Sequence, residues 1–388
     1  MHSESRREFL KQLGAAAAFV LATRGAGALA ESDEKRAFEF LIVGDSIVWG
    51  QGLAEKDKFC SLTADWLRKE VFAGRRDVDL KMKAHSGSTL RFHTVEAEKY
   101  KSAGRDEAYP YAPELTVSFP SIWKQIEVAA GEYHAAGNAR GADLIMLSGG
   151  INDITISKVL DPFGDNSKLP GEIEKYCGNG LFDVLDHAAE NHPNALIAVV
   201  GYFPMLSPKT PSGKLLNVWL ESMRFPRFAK PIANNGIVRP LFFNKLRRKS
   251  IARSRIWIDE SNKSQQAAVD RLNAKFARPR AVFIKSPITE DTCFETPNTL
   301  LFRMNKNGVV EDPLYRERLA ECHEALPALK ASTHIDYSLR LCEIATAGHP
   351  NAAGSRAYAE AIKTQLAPLP ALASPPNSFQ TSLQIAIL

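Results

Sequence analysis

Cysteine is scarce, five residues in 388, and no two of them form C-x-x-C. Only Cys322 has a histidine beside it, His323, and one adjacent pair cannot supply the ligand set of a structural zinc site. Metal binding has no support in the sequence, and nothing calls for a cofactor. A G-x-x-x-x-G-K phosphate loop, an H-E-x-x-H helix and a G-x-S-x-G elbow are all missing, which removes P-loop, zincin and elbow-type serine chemistry together. Long hydrophobic runs are missing as well. No stretch reaches the roughly eighteen continuous apolar residues that a membrane span needs. Charge of one sign is also in short supply, with 49 basic against 44 acidic residues. Residues 1–30 hold four of the basic and two of the acidic ones, leaving +3 on the remainder, too little to imply nucleic acid. No internal repeat is evident.

What is present is an ordinary globular composition, 45% hydrophobic and 24% charged, in a chain long enough to bury a large core. Its first thirty residues read as an address. Arg6 and Arg7 precede an Ala-rich apolar stretch from Leu13 to Ala22, and Ala28-Leu29-Ala30 stands before a charged run. This order resembles a bacterial twin-arginine export signal, implying use of that export machinery, cleavage near Ala30 and a periplasmic or secreted product. Gly25 to Ala30 also matches G-x-G-x-x-A by letter, but it follows no strand and is set aside. An oxidising compartment would permit disulfides. Cys293, Cys322 and Cys342 could supply one, with the pairing open.

Five short apolar runs alternate with helical patterns, the rhythm of a parallel sheet covered on both faces. They are Phe40–Val43, Val78–Lys83, Leu144–Leu147, Ala195–Tyr202 and Ala281–Ile284. Helical spacing of Phe59, Leu62, Trp66 and Leu67, and of Ile122, Ile126, Ala129 and Tyr133, fills two of the gaps; a last helix is expected from about Ala353 to Leu366. The pattern predicts an α/β three-layer αβα sandwich over about residues 38–366, followed by an extended or disordered tail from 367 to 388. Three segments break the rhythm, 155–177, 204–245 and 287–345, and loops of that length are usually covers or linkers. Within the middle one, Val218, Trp219, Leu220, Met223, Phe225, Phe228, Leu241, Phe242 and Phe243 either pack a second small core or form an apolar cap suited to an acyl chain. The first reading is favoured, because aromatic clusters are more often core. Six basic residues between Lys245 and Arg255 read as a solvated helix face, with an anionic surface as the other reading.

The chemistry sits at the strand ends. Ligands of open α/β sheets bind outside the carboxyl ends of the strands. After the first run, Gly44-Asp45-Ser46 throws a hydroxyl onto the turn, as a nucleophile requires. After the second comes His85-Ser86-Gly87-Ser88-Thr89, where Gly87 lets backbone approach a ligand and present its N–H. After the third comes Gly149-Gly150-Ile151-Asn152-Asp153, and the Asn152 amide can donate to a developing oxyanion. His349, just ahead of the last helix, has a titration range suited to taking a serine proton. His85 is the weaker base candidate and reads more simply as structural.

These four blocks, in this order, resemble those of the SGNH hydrolases, the GDSL esterases and lipases. The resemblance spans residues 38–366 apart from the inserted segments. It implies a flavodoxin-like five-stranded parallel sheet and carboxylic ester hydrolysis through an acyl-enzyme. By motif, Ser46 would be the nucleophile and His349 the base, with the Ser46 N–H, Gly87 and Asn152 as oxyanion donors. The substrate would be a small-molecule, lipid or acylated-carbohydrate ester. Carbohydrate O-acetylesterase, thioesterase and a non-catalytic ligand-binding protein on the same scaffold are the alternatives. One position departs from the pattern: the fourth block normally reads D-x-x-H and here reads Thr346-Ala347-Gly348-His349. The group that orients His349 is then a backbone carbonyl, the Thr346 hydroxyl, or a carboxylate of the insertion, Asp336 and Glu343 being nearest in sequence. The carbonyl ranks first because it needs no further coincidence.

Overall fold

The computed structural model describes residues 36–108, 111–211, 238–305 and 307–369, with residues 238–243 described by backbone alone. The amino-terminal address, the apolar residues from Val218 to Phe228 and the tail beyond residue 369 lie outside that description, as do the side chains of Leu241, Phe242 and Phe243. Five strands form one parallel sheet: β1 (Phe38–Gly44), β2 (Val78–Met82), β3 (Leu144–Ser148), β4 (Leu196–Val200) and β5 (Ala281–Ile284), in the order β2-β1-β3-β4-β5.

The sequence explains which strands lie inside. β3 and β4, L-I-M-L-S and L-I-A-V-V, are buried at every residue, as strands covered on both faces must be. β2 is an edge, and its Asp79 and Lys81 stay at the surface. Alternation along the strands sorts side chains into two cores. Phe40, Ile42, Met146 and Ala198 face one side, while Leu41, Val43, Ile145 and Val199 face the other. The first core is covered by the helices Phe59–Trp66 and Ala352–Leu366, the second by Ile122–Ala135 and Leu181–Asn191. That is a three-layer αβα arrangement.

The three irregular segments are corrected in part. Residues 155–177 contain the short helices Ile156–Leu160 and Leu169–Ile173 and enter a π-helical stretch, Glu174–Gly180. Residues 287–345 contain the helices Tyr315–Thr333 and Leu339–Glu343. These two join Tyr100, Val117 and Phe119 in a third apolar cluster that includes Leu326 and Leu329. A helix of 36 residues, Val238–Asn273, carries the basic run. That run is not simply solvated. Arg253 is buried and donates to the carbonyls of Val159 and Lys158, Arg247 donates to the Thr210 carbonyl, and Arg255 pairs with Glu290. Cys322 and Cys342 form a disulfide between the helices Tyr315–Thr333 and Leu339–Glu343, and Cys60, Cys177 and Cys293 are free and buried. Among the described residues no helix is long and apolar enough to cross a membrane, and no cluster of three or more His, Cys, Asp or Glu is arranged to hold a metal.

Candidate active site

Ser46 opens a one-turn helix, Ser46–Trp49, directly after β1. Asp45 caps it, its Oδ1 accepting from the Ile47 N–H at 3.0 Å. The same carboxylate accepts from Ser148 Oγ at 2.6 Å and from Tyr202 Oη at 2.7 Å, which ties the ends of β1, β3 and β4 beneath the serine. Gly44 lies in register with Ser148, and a Cβ there would come within 2.5 Å of the Ser148 carbonyl oxygen, so only glycine lets the strands close at this point.

The other two loops are tied to this end. The His85 N–H donates to the Gly44 carbonyl at 3.1 Å. Gly87 has φ +83°, and a Cβ would sit 2.6 Å from the Val117 carbonyl oxygen, so the residue type follows from the close passage of the Val117 backbone. Asn152 Nδ2 donates to the Ser88 carbonyl at 2.9 Å, and Asp153 Oδ2 accepts from the Leu90 N–H at 3.1 Å. Burial raises the Asp153 carboxyl to about 7.

His349 arrives from the far end of the chain. Its Nε2 lies 2.7 Å from Ser46 Oγ across 303 residues of sequence. Its loop is held through the backbone: the His349 N–H donates to the Thr346 carbonyl at 2.9 Å, and the His349 carbonyl accepts from the Phe302 N–H at 2.8 Å. Asn351 caps the helix that follows, accepting from the N–H groups of Ala353 and Gly354. Burial, with the nearby Arg318 guanidinium second, lowers the imidazole to about 4. It is therefore neutral, as a base must be, down to acidic pH. His85 does not meet Ser46 in this arrangement; its Nδ1 faces the Ser86 carbonyl at 3.0 Å, and burial lowers it to about 4.

Of the groups expected to orient His349, none of the side chains reaches it. Thr346 Oγ1 donates to Asp312 Oδ2 at 2.6 Å instead. Glu343 is engaged by His323 and Arg340, and Asp336 pairs with Lys330 on the surface. The carbonyls of Thr346 and Ala345 act on the ring in the direction that favours its charged form, yet Nδ1 is buried without a well-formed hydrogen bond.

Sequence reasoning missed Gln125. Its Oε1 accepts from the Gly44 N–H at 2.7 Å while its Nε2 donates to the Gly44 carbonyl and to Ser88 Oγ, clamping the ends of the first two blocks. The signal was available: one polar residue lies on the helix stripe of Ile122, Ile126 and Ala129, and it is buried. Glu114, Asp312 and Arg318 were also missed, and nothing in their local sequence marks them.

The strand order and the positions of the four blocks at its carboxyl edge decide the architecture. The fold is a parallel five-stranded αβα sandwich of flavodoxin-like strand order. No protein-family profile matches the chain, and no curated protein matches it. Among solved structures, this chain resembles an extracellular lipase from Streptomyces rimosus, with 14% identity, a TM-score of 0.41 and coverage of 85% of this chain and 100% of that one. It also resembles phospholipase A1 from Streptomyces albidoflavus NA297, with 11% identity, a TM-score of 0.39 and coverage of 85% and 99%. A family two carbohydrate esterase from Clostridium thermocellum gives 13% identity and a TM-score of 0.36, with coverage of 86% of this chain and 64% of that one. At such identities, activity has to be argued from the site itself.

Proposed function

We propose that this chain is a carboxylic ester hydrolase in which Ser46 attacks the ester carbonyl and His349 takes its proton. The observation that carries the reading is the 2.7 Å approach of His349 Nε2 to Ser46 Oγ. A neutral imidazole at that distance accepts the hydroxyl proton as the C–O bond forms, and the imidazolium then returns it to the departing alcohol. The Ser46 N–H, the Gly87 N–H and the Asn152 amide are the donors for the oxyanion. Asn152 Nδ2 donates to Ser88 in this state and carries a second N–H for the substrate. Water then attacks the acyl-enzyme with His349 as base, releasing the acid and restoring Ser46. No cofactor enters these steps.

Export through the twin-arginine route to the periplasm or beyond completes the proposal. The Cys322–Cys342 disulfide supports it, because such bonds persist in oxidising compartments. Cell fractionation with sequencing of the mature amino terminus tests export; a cytosolic, uncleaved product rejects it. For the chemistry, the wild type should cleave short-chain p-nitrophenyl esters and bind a serine-directed phosphonate at Ser46. Ser46→Ala should abolish both, and His349→Ala should lower turnover by at least a thousandfold, on the order seen for loss of a catalytic base. A folded wild type inert to both reagents would instead favour a binding protein on this scaffold.

A further inference from the structure

Position 346 holds threonine where the fourth block of the family carries its acid, and His349 Nδ1 faces only the carbonyls of Thr346 and Ala345, without a well-formed hydrogen bond. Both carbonyls belong to the histidine's own loop, so the imidazole is aligned only as well as that loop is held. What lies beneath is a chain of buried charges. Thr346 Oγ1 donates to Asp312 Oδ2 and accepts from an Arg318 guanidinium nitrogen at 2.9 Å, while that nitrogen also donates to Asp312 Oδ2 at 2.6 Å. The side chains of Asp312 and Arg318 are both 0% exposed. On its other side, Arg318 Nε lies 4.0 Å from Glu114 Oε2. Glu114 Oε1 in turn accepts from Trp49 Nε1 at 2.8 Å, and the Gly52 N–H points at the same carboxylate at 3.1 Å.

Trp49 is the last residue of the helix that Ser46 opens, and Thr346 carries the carbonyl that accepts from the His349 N–H. One guanidinium thus stands between the segment of the serine and the segment of the histidine. The two segments also touch, since a Cβ on Gly52 would fall 2.5 Å from Thr346 Cγ2. Breaking a fully buried ion pair by removing one partner is costly, and the best-attested use of such a pair is to fix one arrangement among several, even though Asp312 Oδ1 and Arg318 Nε make no hydrogen bond here. Here the Cys342 carbonyl accepts from a second Arg318 nitrogen at 2.8 Å, so the guanidinium is anchored at both ends of its fork.

Resting on the catalytic reading of Ser46 and His349, we propose that Glu114, Arg318 and Asp312 form a positioning unit, with Thr346 as its contact to the histidine loop, that aligns the two segments in place of the missing acid at 346. The unit acts on the reaction through geometry, because a displacement of about 1 Å between reacting groups can cost a hundredfold in rate. It also sets the electrostatics of the base. Around the loop the charged groups are Glu114, Asp312 and Arg318 within, and Arg303 and Glu311 in the cleft beside Asn351–Ala353. Of these, Arg318 is the one that opposes a proton on His349.

Thr346→Val keeps the shape and all the charges but removes both hydrogen bonds, and Thr346→Ser keeps the hydroxyl. The valine variant should lose about tenfold or more in kcat with KM within about twofold, and the serine variant should recover most of that loss. The acid limb of kcat/KM, which reports the free base, should move up from about 4 toward 6.5 in the valine variant as its loop loosens and hydrates. Nitrogen NMR of the imidazole reads the same titration without turnover. Arg318→Met should raise that midpoint too; should it fail to fold, the Thr346 pair decides. An active wild type with Thr346→Val unchanged in kcat and in midpoint overturns the positioning unit and leaves the catalytic reading intact. An inert wild type rejects the catalytic reading, and the NMR midpoints then judge the unit by themselves.

Discussion

Asp45 shows how the residue beside the proposed nucleophile is spent on structure. Its carboxylate is fully buried and holds one N–H and two hydroxyls drawn from the ends of three strands. Asp45→Ala leaves Ser148 Oγ and Tyr202 Oη buried without that acceptor, and unpaired buried groups cost about 1–3 kcal/mol each. The variant should lose about 3 kcal/mol of unfolding free energy in a urea titration, and an unchanged midpoint would remove this account. Gly87→Ala is a different case: the strain is local, from a positive φ and a Cβ aimed at the Val117 carbonyl. A cost of about 2 kcal/mol is expected from the conformation and the clash together, with ester turnover reduced because the displaced N–H is one of the proposed oxyanion donors. At this scale the sequence was legible wherever chemistry and turn geometry coincide. Ser46, Asn152 and His349 stand at or just before the start of a helix, and Gly87 lies in the turn that follows β2. Arg318 was not legible, because its partners lie at 114, 312, 342 and 346 and no local pattern announces a contact between them.

Among the elements, strands were easier to read than the segments between them. β3 and β4 are continuous apolar runs, too short to cross a membrane, and a run of that length most simply becomes a strand buried on both faces. The helix Val238–Asn273 was harder, since its basic stretch looks like a solvated face; only the folded chain supplies the carbonyls of Val159, Lys158 and Thr210 that Arg253 and Arg247 take. The helices Tyr315–Thr333 and Leu339–Glu343 were hidden for a related reason. Proline at 327 lies inside the first, and their shared cluster is completed by Tyr100, Val117 and Phe119 from far upstream. The disulfide closes this pair across a separation of 20 residues, for which chain entropy alone predicts about 3 kcal/mol. Reduction, or Cys322→Ser with Cys342→Ser, should lower the Tm by several degrees. If Arg318 is positioned as proposed, ester turnover should fall with it, since the Cys342 carbonyl is one of the guanidinium's acceptors. Equal Tm in oxidised and reduced protein would show that the bond constrains nothing.

For the molecule as a whole, burial of titratable groups on both sides of neutrality sets the response to acid. His85, His192 and His349 are each lowered from 6.5 to about 4, chiefly by burial. Between those values the unfolded chain binds protons that the fold refuses, so their contribution is complete above about 6.5 and is lost as the pH falls toward 4. Asp153 works in the opposite sense. Raised by burial from 3.8 to about 7, it holds a proton in the fold that the unfolded chain has released, so stability grows as the pH falls through 7 toward 3.8. Asp45 and Glu114 are also raised by burial and act with it. The two sets offset each other, which flattens the stability of this fold over mildly acidic pH. Asp153→Asn removes one member of the second set while leaving an oxygen that can still accept from the Leu90 N–H. Relative to the wild type, that variant should be at its best at pH 8, where the native carboxyl is ionised against its surroundings. It should lose ground steadily as the pH is brought to 5, where the wild type gains from the bound proton. Urea midpoints of both proteins at the two pH values decide it: a difference that does not change with pH would mean that the Asp153 carboxyl titrates alike in folded and unfolded chains.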